Sequence, residues 1–264
     1  LVQLFPSAIE NRHATMMTGN WLLPCVSIKD EPRFGYRGVM LDPCRHFFPA
    51  SVIKREIERL AAYKINRLHW HLTDDQGWRF EVPGYPKLTT IGSKRNGTVL
   101  GRNSELTDRT PYGPYFYTDA EIRDIVKYAA DRYITIVPEV DMPGHMTAAL
   151  AAYPELGCTG GPYEVGQYWG VYQDILCAGN PKTFEFIKAV IDKVCDLFPT
   201  SPYINIGGDE APKSRWKECP KDQKLISQQG FVDKDGQTKE DQLQGYLARR
   251  VEAYLATKGR KVMG

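Results

Sequence analysis

The chain has 264 residues, of which 42% are hydrophobic and 25% charged, with a formal net charge of +2. These proportions suit a globular protein of one large domain or two small ones. The charge is too small to argue for nucleic acid or an anionic membrane as partner, and no apolar run reaches the roughly 18 residues that a spanning helix needs. Six cysteines include no Cys-x-x-Cys pair, which argues against a zinc ribbon and leaves a disulfide open.

Residues 1–32 hold two apolar runs, 2–5 and 21–28, stopped by Pro6 and by Asp30-Glu31-Pro32. They read as the tail of a preceding domain plus a linker, with the main domain at 33–264. A start at Leu1 and an end inside the apolar run 261–264 lead us to expect a longer native protein. From Arg37 a rhythm begins. Residues 38–41 form a short apolar strand. Ser51 is the expected N-cap of a helix whose face is Ile53, Ile57, Leu60 and Ala61. The second strand is expected at 68–72. A polar segment, 84–117, reads as a functional or disordered loop. Thr118 and Glu121 make a capping box before the face Ile122, Ile125, Val126 and Ala129. A third strand is expected at 133–140. Asn180-Pro181 opens a helix with the face Phe184, Ile187, Ile191 and Val194. A fourth strand, 203–206, precedes a helix face of Leu243, Leu247, Val251 and Leu255 that ends at Gly259. Val262 and Met263 are positioned to open a fifth strand. The alternation predicts an α/β fold with a parallel sheet, either half of a (β/α)8 barrel or one side of a doubly wound sheet. No glycine-rich phosphate fingerprint follows the first strand, which weakens the dinucleotide-binding alternative.

Reactive residues cluster at the strand ends. Arg37 precedes the first strand, and Asp42, Arg45 and His46 follow it. The second runs through His69-Trp70-His71-Leu72-Thr73-Asp74-Asp75 to Trp78 and Arg79. The third leads into Glu139-Val140-Asp141-Met142-Pro143-Gly144-His145, and the fourth into Gly207-Gly208-Asp209-Glu210. Parallel strands all end on one side, so these groups are expected to converge on one rim. His69 and His71 share a strand face and are a conceivable metal pair, but bracing is the better reading at this spacing. Trp70 and Trp78 fit either the core or a sugar platform.

The segments around residues 37–48, 69–79, 138–145 and 207–210 resemble, in order, the signature blocks of glycoside hydrolase family 20, the β-N-acetylhexosaminidases. The resemblance runs from Trp21 to Gly264. It implies a (β/α)8 TIM barrel of which this chain covers roughly the first four βα units, preceded at 1–32 by the end of a small α/β domain and followed by about four more units. It implies an exo-acting β-N-acetylhexosaminidase that removes terminal β-linked GlcNAc or GalNAc from glycoconjugates or chitooligosaccharides. Catalysis would be retaining and substrate-assisted, through an oxazolinium intermediate. Glu210 would be the general acid and base, and Asp209 would orient the acetamido group. Arg37 would grip the ring hydroxyls. Asp74 and His145 would surround the acid, with Asp141 supporting His145. No metal and no cofactor is implied, and the partner is a carbohydrate with a terminal β-N-acetylhexosamine. The resemblance also implies an exported protein, periplasmic, secreted or lysosomal, with its signal peptide outside this chain. In such a protein a Cys158–Cys177 disulfide is expected, against the alternative of two buried free thiols. The acetamido-pocket aromatics belong to the family's second half, so none is assigned. Two other readings are a metal-dependent barrel hydrolase using His69, His71, His145 and Asp209, and a non-catalytic sugar-binding protein.

Overall fold

The computed structural model describes residues 4–5, 23–101 and 107–264. It divides into two units, Leu1–Gly35 and Tyr36–Gly264. In the first unit, residues 23–35 carry no helix or strand, and the remainder of the expected domain tail lies largely outside the described residues.

The second unit begins with β1 (Gly38–Leu41), α1 (Ala50–Ala62) and β2 (Arg67–His71). A hairpin of β3 (Thr73–Asp74) and β4 (Gly77–Trp78) follows, then α2 (Lys87–Thr90) and a second hairpin of β5 (Thr98–Val99) and β6 (Thr107–Asp108). Next come α3 (Asp119–Ala130), β7 (Thr135–Glu139), α4 (Thr147–Ala152), a 3₁₀ turn at Pro154–Leu156 and α5 (Pro181–Leu197). The chain then forms β8 (Tyr203–Asn205), α6 (Ser214–Glu218), α7 (Pro220–Gln229), α8 (Lys239–Thr257) and β9 (Lys261–Met263). Strands β1, β2, β7, β8 and β9 make one five-stranded parallel sheet, ordered as they occur in the chain. Helices α1, α3, α5 and α8 pack one against the next. A doubly wound sheet reverses its strand order at a switch point; this sheet never does, so it has the form of a barrel wall.

Local chemistry explains the elements. The Thr118 and Glu121 side chains cap α3 reciprocally, and the Asn180 side chain accepts from the backbone N–H of Lys182 ahead of Pro181. The apolar faces of α1, α3, α5 and α8 meet Leu68, Trp70, Ile136 and Ile204, which β2, β7 and β8 turn toward them. Ser51 is not the cap of α1: the helix starts two residues earlier than that cap implies, Pro49 stands at the N-cap, and no side chain bonds there. Helices α4, α6 and α7 were not foreseen. Helix α4 is buried along nearly its whole length and so lacks an amphipathic stripe, while α6 has five residues and α7 buries only Asp222 and Ile226. The polar stretch 84–117 carries α2 and the β5–β6 hairpin rather than an unstructured loop. The expected Cys158–Cys177 disulfide is not formed; all six cysteines are free, and the Cys177 sulfur neighbours both that of Cys158 and that of Cys219, the latter at 3.7 Å.

Arg79, fully buried, anchors the loop after β1. Its guanidinium donates to the carbonyls of Pro43 (3.0 Å), Ser93 (3.1 Å), Tyr115 (2.8 Å) and Cys44. Exchange Arg79→Met would keep much of the packing and orphan these acceptors. We expect a loss of about 3 kcal/mol or more, read as a fall in Tm of roughly 6–12 °C by calorimetry.

Candidate active site

Side chains alternate along each strand, so residues 69 and 71 of β2, 139 of β7 and 205 of β8 face away from the helices. In a protein built only for stability this face would be aliphatic. Here it carries His69, His71, Glu139 and Asn205, and the parallel register sets His71 beside Glu139 and Glu139 beside Asn205. Glu139 Oε2 is 2.5 Å from His69 Nε2 and 2.7 Å from His71 Nδ1. Burial disfavours the charge on Glu139, but the two histidines more than offset it and hold the carboxyl down at about 2.

Past the strand end, Asp74 is the meeting point. Its Oδ2 lies 2.7 Å from His71 Nε2 and 2.7 Å from Arg45 Nη1, and its Oδ1 lies 3.2 Å from His145 Nδ1. Burial opposes ionisation of Asp74, yet His145, His71 and Arg45 together keep it well below the usual carboxylate range. His71 has a carboxylate against each ring nitrogen. Burial pushes its pKa down, and the bonds to Asp74 and Glu139 override this and raise it to about 10. His145 is also bonded to Asp75 Oδ2 at 3.0 Å, and Asp75 Oδ1 in turn takes the N–H and hydroxyl of Thr147 at the start of α4. The hydrogen bonds to Asp74 and Asp75 raise the pKa of His145 to about 11, so it stands as an imidazolium at neutral pH. Its other nitrogen, Nε2, lies 3.7 Å from Glu210 Oε2. That is longer than a hydrogen bond.

Asp209 and Glu210 lie just past β8, both exposed. On a continuing strand they would point to opposite faces. The chain turns instead, with φ of +58° at Gly207, +102° at Gly208 and +53° at Glu210. A side chain is excluded at Gly207, where a Cβ would sit 2.2 Å from Asp141 Oδ1. Asp141 accepts the N–H of Gly208 at 3.1 Å, so it supports the turn that carries the acids. Burial raises the Asp141 pKa to about 7. A cleft of about 710 Å³ opens beside this turn, lined in part by Glu139, Asn205, Gly207, Asp209, Gln244 and Gly264.

The structure thus brings Glu210, Asp209, His145, Asp141 and Asp74 to one rim. Asp141 lies close to His145, their ligating atoms within 4.8 Å, while the hydrogen bonds of His145 go to Asp75 and Asp74. Arg37 is not at the rim. It precedes β1, where its backbone bonds the Asn66 side chain and its Nε the Lys64 carbonyl, at the opposite end of the sheet from the acids. The rim arginine is Arg45, bonded to Asp42 (3.0 Å) and Asp74, with its guanidinium 5.9 Å from the ring of Trp169. The signal was available, because Arg45 follows the first strand and Arg37 precedes it. Trp70 and Trp78 are core residues, 0% and 1% exposed. A catalytic metal at His69, His71 and His145 fits poorly: His71 and His145 are held protonated by carboxylates, and an imidazolium has no lone pair to donate.

A sheet of parallel strands with its charged groups gathered beyond their carboxyl ends defines the active face of a (β/α)8-barrel enzyme, and paired acids on such a rim are the equipment of a glycoside hydrolase. Residues 34–264 match the catalytic domain of glycosyl hydrolase family 20, and the chain belongs to that family. It is 46% identical over 264 residues to a beta-hexosaminidase of Porphyromonas gingivalis, covering 100% of this chain and 32% of that protein. The crystal structure of a beta-N-acetylhexosaminidase from Bacteroides fragilis superposes with a TM-score of 0.76 at 40% identity, over 94% of this chain and 45% of that one. A GH20 exo beta-N-acetylglucosaminidase from Vibrio harveyi, in complex with N-acetylglucosamine, gives 0.75 at 40% identity, over 88% and 35%. The chain therefore spans a third to a half of the length of these relatives.

Asp141 generates a pH test. The folded protein binds its proton more tightly than the unfolded chain, whose carboxyl titrates near 3.8. Its contribution to stability is therefore complete below that value and is lost as pH rises through about 7. Asp141→Asn keeps the acceptor for Gly208 and removes the titration. The stability of the variant relative to the parent should rise steadily between pH 4 and pH 7 in urea unfolding; a constant difference would contradict the assignment.

Proposed function

We propose that the protein carrying this chain is an exo-acting, retaining β-N-acetylhexosaminidase in which Asp209 and Glu210 do the chemistry. The observation that carries the proposal is the posture of Glu210. It sits on a left-handed backbone directly after Asp209, with one carboxyl oxygen facing an imidazolium that Asp74 and Asp75 lock in place. A sugar-binding site has no need of an acid oriented in this way. The names of the relatives, and the N-acetylglucosamine bound in the Vibrio harveyi structure, support the same substrate class.

In the proposed reaction the nucleophile is the substrate's own 2-acetamido oxygen, which attacks the anomeric carbon from below. Glu210 protonates the departing glycosidic oxygen. The C1–O bond to the aglycone breaks, and an oxazolinium forms. Asp209 accepts the acetamido N–H, aims the carbonyl and balances the charge that grows on nitrogen. Glu210, now a carboxylate, takes a proton from water as that water attacks C1 and reopens the ring, returning the β configuration. We assign Arg45 to the ring hydroxyls, the task first expected of Arg37, with Trp169 beside it.

Replacing Glu210 with Gln should lower kcat for natural glycosides by about 10²–10⁴-fold and for nitrophenyl glycosides much less, because a good leaving group needs little proton help. Equal losses on both would contradict the role. A β-glucoside with the same leaving group should be inert, since it lacks the nucleophile; comparable turnover would sink the mechanism. Exchange of Arg45 for Ala should raise KM by roughly 10-fold or more, the worth of a charged hydrogen bond, while Arg37→Ala leaves KM near the parent value.

A further inference from the structure

Away from the acids, four polar side chains from three separate segments meet in the interior. Cys158 follows the 3₁₀ turn, Cys177 leads into α5, Cys219 stands at the N-cap of α7, and Asp222 lies in the first turn of α7. Their ligating atoms all lie within 4.8 Å of one another. Cys177, Cys219 and Asp222 are 0%, 4% and 0% exposed. The Cys177 and Cys219 sulfurs are 3.7 Å apart. Asp222 Oδ2 is 3.2 Å from the Cys158 sulfur, and its Oδ1 is 3.6 Å from that of Cys177.

We propose that Cys158, Cys177, Cys219 and Asp222 form a structural zinc site. Zinc–sulfur bonds of about 2.3 Å and zinc–oxygen bonds of about 2.0 Å set tetrahedral edges of roughly 3.8 Å between sulfurs and roughly 3.5 Å from sulfur to oxygen. The three separations given above lie near those edges, and the remaining ligating atoms lie within 4.8 Å of one another. A disulfide needs about 2.05 Å, and pairing any two of these thiols would leave the third beside a buried carboxylate. Among the described residues, no lysine, arginine or histidine forms an ion pair with Asp222. A buried carboxylate whose partners are two thiols and one backbone N–H is costly, and a soft-ligand dication is the partner that thiolates select.

The surroundings fit a ligand set. The N–H of Gly179 donates to Asp222 Oδ1 at 2.6 Å, the kind of bond that orients a ligating carboxylate and spreads its excess charge. Gly179 itself is pressed against the start of α7, where a Cβ would sit 2.2 Å from the Lys221 carbonyl oxygen. Residues 157 and 176 pair across an antiparallel bridge, and the N–H of Cys177 bonds the Leu156 carbonyl, so Cys158 and Cys177 are presented together by backbone geometry. On binding, each thiol gives up its proton and all four ligands bond the metal. The ion would tie the loop between α4 and α5 to the α6–α7 segment that follows Glu210. Sequence spacing conceals the site, because Cys219-Pro220-Lys221-Asp222 has a carboxylate where a familiar zinc pair has its second cysteine.

The test reads metal rather than activity, so it stands apart from the proposed reaction. The full protein, purified from zinc-supplemented cells without chelator and desalted, should release about one zinc per chain on unfolding in pyridylazoresorcinol. Its cobalt-exchanged form should show the visible bands of tetrahedral cobalt and a thiolate-to-metal charge-transfer band in the near ultraviolet. Cys195→Ser should keep the metal and Cys219→Ser should lose it. Asp222→Cys should keep it and strengthen the charge-transfer band by about a third, from three thiolates to four. Zinc below about a tenth per chain, retention of zinc by a folded Cys219→Ser protein, or a disulfide among these three cysteines in the mass map of the native protein would each overturn the proposal. If Cys219→Ser does not fold, the cobalt spectrum of the parent decides.

Discussion

One buried carboxylate organises the active face. Asp74 is 1% exposed and gathers Arg45, His71 and His145 around its two oxygens. A charge in that position is tolerable only because the partners are themselves charged and themselves fixed, His71 by Glu139 and His145 by Asp75. The result is a lattice in which cations and anions alternate from the sheet interior to the rim. Removing any member leaves an uncompensated charge in a low dielectric, so the lattice has one arrangement. Glu210 then meets a histidine whose ring orientation and protonation are already settled.

The backbone makes a matching contribution. His145 and Glu210 both adopt left-handed conformations, with φ of +52° and +53°, where residues other than glycine are uncommon. Such residues cost about 1–3 kcal/mol each and persist where the surroundings dictate them. Asp141 supports the turn before Glu210: its carboxyl fills the space beneath Gly207 and holds the N–H of Gly208. Two adjacent acids are thereby brought to one turn, which an extended strand forbids.

Much of this was legible in the chain. The five strands and four long helices follow from apolar periodicity and from caps at Thr118 and Asn180, because those signals are local. Convergence of the acids followed from one rule about parallel strands. Partner choice was not legible. Whether Asp141 holds His145 or the Gly207–Gly208 turn depends on angles between loops, and no spacing in the sequence encodes them. Arg37 and Arg45 flank the same strand at opposite ends, and only the direction of that strand separates them. Helix α4 escaped because a helix buried on most sides has no polar face to betray its period. The thiol group escaped because its members come from three segments.

The order of strands has a consequence in time. Each strand of this five-stranded sheet pairs with the strand of the same sheet made just before it, so none of these four pairings reaches past one crossover. A parallel sheet is ordinarily slow to form because its contacts are far apart in sequence, and this arrangement keeps the separation to one crossover. During synthesis each βα unit can settle on its predecessor as it emerges. The lattice around Asp74 draws on residues up to His145, whereas Asp209 and Glu210 come more than sixty residues later. The nascent protein can thus complete the cradle before the acids it is to hold have been translated.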